Sequence, residues 1–182
     1  MIKMWIKRFI YRLRGEYTVE SLKKLGLSVG ENFNPQLGFE LDPSHCWLIK
    51  IGDNVTFGPH VQILAHDAST CHWIGYTKIG RVTIGNNCFV GAGSIVLPNV
   101  SVGDNVIIGA GSVVTDSIPS NVVVVGNPAK VIMTLDEYVA RHKENLENSP
   151  VYDESFTLRK NVSYELKQKQ FAELKNRIGY IE

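Results

Sequence analysis

A six-residue repeat in the middle of the chain constrains its fold more than any other feature of the sequence. The first position of the repeat is aliphatic, the fourth holds Asn, Gly and finally Ser, and the fifth is small or aliphatic. The first-position residues are Ile84, Val90, Val96, Val102, Ile108 and Val114; the fourth-position residues are Asn87, Gly93, Asn99, Asn105, Gly111 and Ser117; the fifth-position residues are Cys88, Ser94, Val100, Val106, Ser112 and Ile118. A period of six does not match the α-helix, and Gly at this density would cost about 1 kcal/mol per residue inside one. Because Asn and Gly accept left-handed backbone cheaply, the pattern predicts short strands joined by regular corners, which is a parallel β-helix.

Similar six-residue units occur upstream, in a register of their own. They cover 51–56, 57–62 and 63–68. The separation between Ile51 and Ile84 is not a multiple of six, so an excursion from the coil is predicted between Ser69 and Arg81. His66 lies directly before it. Residues 33–50 do not keep the repeat.

Helical patterns flank the repeat on both sides. Ile2, Trp5, Ile6, Phe9 and Leu13 recur at helical spacing among basic residues, which predicts an amphipathic segment over 1–24. Packing on a subunit is the favoured role of residues 1–14, and contact with an anionic membrane surface is the alternative. The β-helix is predicted over 25–133 and a helical extension over 134–182. In that extension a capping box at Thr134–Glu137 opens a helix toward Asn148, a linker covers 150–157, and a second helix covers 164–178.

Charge and cysteine content argue against a nucleic-acid-binding protein and against a disulfide-stabilised one. A net charge of +1 with 20% charged residues gives no reason to expect a nucleic-acid partner. Cys46, Cys71 and Cys88 form neither an even set nor a CxxC pair, which argues against a disulfide framework and for a reducing, cytoplasmic location. Cys88 is expected to be buried rather than nucleophilic, and Cys71 receives no role.

Residues 29–132 resemble the hexapeptide-repeat acyltransferases, in particular the sugar and xenobiotic O-acetyltransferases of maltose, galactoside and capsule type. The segment Val125-Gly126-Asn127-Pro128-Ala129-Lys130-Val131-Ile132 is similar to the one that ends the β-helix of this family. The resemblance implies a left-handed β-helix whose coils each take three repeats, about 18 residues. It also implies a homotrimer with active sites between subunits, and direct transfer from acetyl-CoA without a metal.

The resemblance implies one catalytic residue. His66, in Leu64-Ala65-His66-Asp67, matches the position of the general base in this family. Histidine suits that role, because an ordinary pKa of about 6.5 leaves much of it able to accept a proton at neutral pH. Asp67 either orients the His66 ring or is an exposed corner carboxylate. Asp42 falls where the family places an acid that binds the acceptor, although it could equally start a turn.

Cofactor contacts are implied in the same way. Ala92, Gly109, Ala110 and Thr115 match positions that contact pantetheine, and Phe89 replaces a common tryptophan. Lys130 matches a basic residue near the nucleotide phosphates, an assignment with an electrostatic reason of its own. The chain departs from the family at Thr115-Asp116-Ser117, where a lysine often follows the threonine.

The sequence therefore favours an acetyl-CoA-dependent O-acetyltransferase that acts on a carbohydrate hydroxyl. N-acyl transfer to an amino sugar and a non-catalytic β-helix scaffold remain alternatives. A zinc hydratase, like the carbonic anhydrases of this fold, would need converging histidines. His60, His66 and His72 recur at the period of the repeat and so fall on successive faces, which argues against such a site in one chain. His45, His60 and His72 are expected to be structural, and no metal ligand is assigned.

Overall fold

The computed structural model describes residues 17–182, so the amphipathic helix predicted over residues 1–14 lies outside the described residues. The chain divides into two compact units, one that ends at Leu135 and one that covers Asp136–Glu182. A short helix, Val19–Lys24, precedes the coils, and the Thr18 side chain caps it by accepting a hydrogen bond from the Ser21 N–H. No helix within residues 17–182 is long and apolar enough to cross a membrane.

Three sheets of very short parallel strands form the first unit, which confirms the predicted parallel β-helix. The first sheet contains Ser28–Val29, Ile49–Ile51, Val82–Ile84 and Ser101–Val102. The second contains Asn34–Pro35, Thr56–Phe57, Phe89–Val90, Ile107–Ile108 and Val122–Gly126, with Ala129–Thr134 added antiparallel. The third contains Glu40–Leu41, Gln62–Ile63, Ile95–Val96 and Val113–Val114.

The repeat positions keep the roles that the sequence predicts. Ser101 pairs with Thr83, and Phe89 with Ile107, so one regular coil takes three repeats of the hexapeptide. All six first-position residues are buried, each at most 3% exposed, and stack in columns along the inside of the coil. Phe57 adds the largest fully buried side chain of this core. Burial of these apolar columns supplies the main stabilisation of the coils.

Two insertions interrupt the coil, and both lie at the corner between the third and the first sheet. Ile51 pairs with Ile84, and the separation between them in sequence is much longer than one regular coil. This pairing confirms the predicted excursion. Val29 pairs with Ile51, so the preceding coil also contains extra residues, although fewer. The expectation that residues 33–50 lack the repeat is wrong for most of that segment. Strands at Asn34–Pro35 and Glu40–Leu41 keep the hexapeptide spacing, and only residues 42–48 leave the register.

An asparagine ladder runs along another corner, between the first and the second sheet. Each of its members has a left-handed backbone, with φ from 54° to 63°, and side-chain N–H groups donate to the Oδ1 atom of the next member at 2.9–3.1 Å. The members are Asn32, Asn54, Asn87, Asn105 and Asn121. Asparagine tolerates the left-handed backbone of the corner, and its side chain can also form hydrogen bonds to the asparagines of adjacent coils.

The last coil is slightly shorter than the regular ones. Ile118 bridges to Val102, so it occupies the inward column of the first sheet. The placement of Ile118 on the fifth position and of Ser117 on a left-handed corner is therefore wrong, because the shortened corner shifts the register. The Val122–Gly126 strand then turns back through Ala129–Thr134.

The second unit is helical with one small sheet. Its helices are Leu135–Glu147, which begins where the capping box predicts, and Tyr164–Glu173, which is shorter than predicted. The Ser163 side chain caps the latter through the Leu166 N–H. The segment predicted as a linker contains the strand Val151–Tyr152, paired with Tyr180–Ile181, followed by 3₁₀ turns at Glu154–Phe156 and Leu158–Lys160.

The asparagine ladder yields a test of the corner geometry. Asn87→Ala removes two side-chain hydrogen bonds and leaves a residue with a Cβ atom at φ 54° without any compensating contact. Asn87→Gly removes the same hydrogen bonds but tolerates that φ. We expect both variants to unfold at lower urea concentration than wild type, with the alanine variant less stable than the glycine variant by about 1 kcal/mol. Equal stability of the two variants would show that the backbone conformation is not the constraint.

Candidate active site

The two insertions lie in adjacent coils, and they bring Asp42 and His45 against His66. The first insertion follows the Glu40–Leu41 strand, and the second follows Gln62–Ile63, which is paired with it in the third sheet. Side chains that leave the same corner in neighbouring coils meet outside the apolar core. The His45 and His66 rings are 5.5 Å apart between centroids, and the Asp42 carboxylate contacts His66.

Asp42 is a buried carboxylate whose oxygens accept hydrogen bonds from three donors. Its Oδ2 lies 2.5 Å from His66 Nδ1 and accepts from the Ala65 N–H at 3.0 Å, while Oδ1 accepts from the Ser44 N–H at 3.0 Å. The Asp42 side chain is fully buried, whereas that of His66 is 36% exposed. Asp42 therefore joins the first insertion to the second and holds one edge of the His66 ring.

The charge on Asp42 fixes the hydrogen on the His66 ring. Burial raises the pKa of Asp42, but the hydrogen bonds from His66, Ala65 and Ser44 outweigh burial and leave that pKa below its ordinary value. An ionised carboxylate only accepts hydrogen bonds, so Nδ1 of His66 must carry the hydrogen. The lone pair then lies on Nε2, on the opposite side of the ring, where it can act as a base.

Asp67 does not orient the His66 ring. Its carboxylate forms an ion pair with Lys78 at 2.6 Å and accepts from the Ser69 N–H at 2.8 Å, and the Lys78 contact lowers the pKa of Asp67 to about 2. Lys78 lies in the strand Lys78–Ile79, which pairs antiparallel with His66–Asp67. Asp67 thus fixes the base of the excursion, whose remainder contains the Ala68–Thr70 turn and the short helix Cys71–Ile74.

The position of Asp42 argues against its predicted role in acceptor binding, which stays a prediction. All of the Asp42 side chain is buried, and its oxygens already bond Ser44, Ala65 and His66. An acceptor could not reach this carboxylate without breaking those bonds. Asp42 does start a turn, as the alternative interpretation held, because its Oδ1 accepts from the N–H two residues later.

His45 was expected to be structural, yet it belongs to this cluster. It precedes the 3₁₀ turn Cys46–Leu48, its ring lies 5.3 Å from that of Trp47, and Trp47 is 57% exposed. A sequence signal was present: His45 lies in the only part of 33–50 that leaves the repeat. Breaks in register at the same corner of two adjacent coils would have predicted that His45 lies close to His66.

The residues predicted to bind CoA occupy other parts of the coil. Ala92 and Ala110 are exposed and follow second-sheet strands in successive coils, where Gly91 packs so closely that an added Cβ would lie 2.4 Å from the Ala110 nitrogen. Gly109 is half-buried beside them, and Phe89 is 46% exposed on the outer face of the second sheet. Ala92, Gly109 and Ala110 form a strip of small residues, and the third sheet lies between this strip and His66 along the chain.

Thr115 and Lys130 both lie beside Asp116, and Lys130 pairs with Val125, which packs against Gly109. Thr115 donates to Asp116 Oδ2 at 2.9 Å, and Lys130 Nζ lies 4.0 Å from the same oxygen. Both charged side chains are mostly exposed, so this long contact fixes the lysine only weakly.

The cysteines lie apart from these contacts. Cys88 is buried, as expected, and burial raises the pKa of its thiol, whereas Cys71 is exposed on the excursion.

Known proteins resemble this chain over the coils. The profile described as "Bacterial transferase hexapeptide (six repeats)" matches residues 81–116. CapG of Staphylococcus aureus is 39% identical over 149 residues, which cover 76% of this chain and 84% of CapG. Galactoside O-acetyltransferase of Escherichia coli (strain K12) is 36% identical over 114 residues, 61% of this chain and 55% of that protein.

A solved structure supports the same comparison. Maltose O-acetyltransferase from Clostridium difficile 630 is 42% identical, with a TM-score of 0.52, and the match covers 60% of this chain and 59% of that one. The chain thus spans most of CapG but little more than half of the two sugar acetyltransferases. Together with the three parallel sheets, these similarities show that the fold is a left-handed parallel β-helix.

The Asp42–His66 contact can be tested through the ring hydrogen. Asp42→Ala removes the acceptor of the Nδ1 hydrogen, so the ring hydrogen is no longer held on Nδ1. We expect ¹⁵N spectra of histidine-labelled protein at pH 8 to show a larger population of the Nε2–H form of His66, together with a loss of about 1–3 kcal/mol in the free energy of unfolding. Asp67→Ala is the matched control, because it removes a carboxylate that pairs with Lys78 and not with the ring. An unchanged His66 signal in Asp42→Ala would contradict the assignment.

Proposed function

The chain belongs to the bacterial transferase hexapeptide family, and on that premise we propose that it transfers an acetyl group from acetyl-CoA to a carbohydrate hydroxyl. The observation that carries the proposal is the Asp42–His66 pair, which holds a half-exposed imidazole with its Nε2 available as a base. Acetyl transfer to a hydroxyl needs such a base, because a neutral hydroxyl is a weak nucleophile.

The proposed reaction is a direct transfer. His66 Nε2 takes the proton of the acceptor hydroxyl as its oxygen attacks the thioester carbonyl carbon, and the C–S bond then breaks. The imidazolium returns the proton to the departing sulfur, so the products are the acetyl ester and free CoA. Asp42 stabilises the imidazolium and keeps the ring in place, as an acidic partner does for a catalytic histidine. No covalent enzyme intermediate and no metal take part.

Two features support the assignment of the substrates. Small residues at Ala92, Gly109 and Ala110 leave the coil backbone open to a thin chain such as pantetheine, and Lys130 carries a charge suited to phosphate. Trp47 presents an exposed indole beside His45, and an aromatic face of this kind suits the apolar side of a sugar ring. Sugar acetyltransferases among the relatives agree with a carbohydrate acceptor.

The distance along the coil between His66 and the strip of small residues that would bind the acetyl donor supports a site shared between subunits. His66 follows a third-sheet strand, whereas Ala92 and Ala110 follow second-sheet strands. A CoA molecule bound between two copies of the chain could contact the strip of one copy and the base of the other. We therefore propose that the active protein is a homotrimer with three such sites.

Removal of the base tests the mechanism. We expect His66→Ala to lower the rate of acetyl-CoA-dependent CoA release in the presence of acceptor by roughly 10²–10⁴-fold, because general-base catalysis contributes that much. Calorimetry should show that CoA binding persists. His72→Ala, at an exposed histidine on the excursion, is the matched control and should retain the wild-type rate. Undiminished turnover in His66→Ala would refute the role of the base.

The acceptor can be identified by a panel assay with thiol detection of CoA. Mono- and oligosaccharides test O-transfer, and amino sugars with a free amine test N-transfer, which the same base could serve. We expect hydroxyl acceptors to raise CoA release above the rate of spontaneous thioester hydrolysis, with mass spectrometry showing a gain of one acetyl group. Acetylation confined to amines would replace O-transfer by N-transfer, and CoA binding without any acceptor activity would contradict the carbohydrate proposal.

A further inference from the structure

His45 presents a nitrogen that the proposed transfer does not use. Its Nδ1 is buried and has no hydrogen-bond partner, and no other buried side-chain nitrogen or oxygen in the described part of the chain shares that state. A buried polar group left without a partner costs about 1–3 kcal/mol. Such a group in a natural protein calls for a ligand or another physical explanation.

The neighbours of His45 are suitable ligands for a metal ion. One nitrogen of His45, one nitrogen of His66 and one carboxylate oxygen of Asp42 all lie within 4.8 Å of one another. Two imidazoles and a carboxylate are the ligand set that zinc accepts, whereas magnesium and calcium prefer oxygen ligands alone. The His45 and His66 rings are tilted by 42° rather than stacked flat against each other.

We propose that Asp42, His45 and His66 form a binding site for a divalent transition-metal ion, Zn²⁺ in particular, and that the bound ion reversibly inhibits the enzyme. The binding is independent of the proposed function, and only the inhibition rests on it. The ion is an inhibitor and not a cofactor, and the proposed acetyl transfer itself uses no metal.

The cluster can reach zinc geometry with a modest adjustment. Zinc lies about 2.0–2.2 Å from nitrogen and oxygen ligands, so donor atoms around it are roughly 3.3 Å apart. The more distant atoms of the cluster, within 4.8 Å, must therefore close by about 1.5 Å or less, whereas the Asp42–His66 contact at 2.5 Å must open as the ion replaces the Nδ1 hydrogen. His45 can supply most of this movement, because it lies in a surface insertion and is only half-buried. The buried charge of Asp42 offsets part of the charge of the ion.

Inhibition follows from the electron pair that the metal uses. Zinc on the Asp42 side of the ring binds His66 through Nδ1, in place of the hydrogen that Nδ1 carries in the free enzyme. The hydrogen then lies on Nε2, which no longer has a lone pair to accept the proton of the acceptor. The coordinate bond transfers no group and changes no oxidation state, so removal of the ion restores the base.

Direct binding tests the site without any assay of activity. Full-length protein freed of metal by EDTA dialysis is titrated with Zn²⁺ in competition with a chromophoric chelator. We expect one Zn²⁺ per chain in the wild type, and an affinity at least about tenfold lower in His45→Asn, since loss of even an outer partner of a metal site costs that much. His72→Asn is the matched control and should bind as the wild type does. No binding by the wild type, or equal affinity in His45→Asn, overturns the proposal.

A measurement on the wild type alone guards against misfolding of the variant. Zinc titration of histidine-labelled protein should shift the ring ¹⁵N signals of both His45 and His66, while that of His72 stays in place. Zinc that perturbs His72 instead, or neither member of the cluster, overturns the site even where binding is seen.

The inhibitory part is tested by CoA release at saturating acceptor. Each protein is compared with itself, with and without Zn²⁺, and Mg²⁺ serves as the control ion. We expect zinc to abolish turnover of the wild type, EDTA to restore it, and His45→Asn to need at least about tenfold more zinc for the same inhibition. Zinc bound at the cluster with full turnover would overturn the inhibition. Absence of transferase activity in metal-free wild type would count against the proposed function and leave the binding result intact.

Discussion

Pairing between successive coils is the constraint on which the rest of this structure depends. Very short strands pair in register with strands one coil away, and a slip of a single position would turn each inward side chain outward. Extra residues therefore have to leave at a corner. The insertions after Leu41 and Ile63 leave at the same corner in adjacent coils, so the regularity of the sheets brings two irregular segments into contact.

The sequence predicts those parts of the fold in which the same position of every coil has the same burial or the same backbone conformation. Aliphatic residues mark the inward columns because those positions are buried in every coil, and asparagine or glycine marks left-handed corners such as Asn87 and Gly93. The excursion was predictable as well, since Ile51 and Ile84 differ in register. The repeat could not show the shortened corner before Ile118, because a small deletion there leaves a plausible but shifted match.

The candidate site was predictable only in part, because its central contact is tertiary. His66 could be found from its place beside the excursion. Asp42 carries a local signal for a turn, and that signal is correct, since its Oδ1 accepts from the Ser44 N–H. The same carboxylate also contacts Ala65 and His66, which are distant in sequence, across a coil of irregular length. No local pattern encodes that pairing.

A neighbour in sequence could not have replaced Asp42 as the partner of His66. His66 and Asp67 lie in one strand, where successive side chains point to opposite sides, so Asp67 is directed away from the His66 ring and pairs with Lys78. The carboxylate has to come from an adjacent coil. Burial of that carboxylate is tolerable because three N–H groups bond it, and burial in turn leaves only one side of the imidazole open to a substrate. The insertion that carries Asp42 also carries His45, so the corner that orients the His66 ring places a second imidazole beside it.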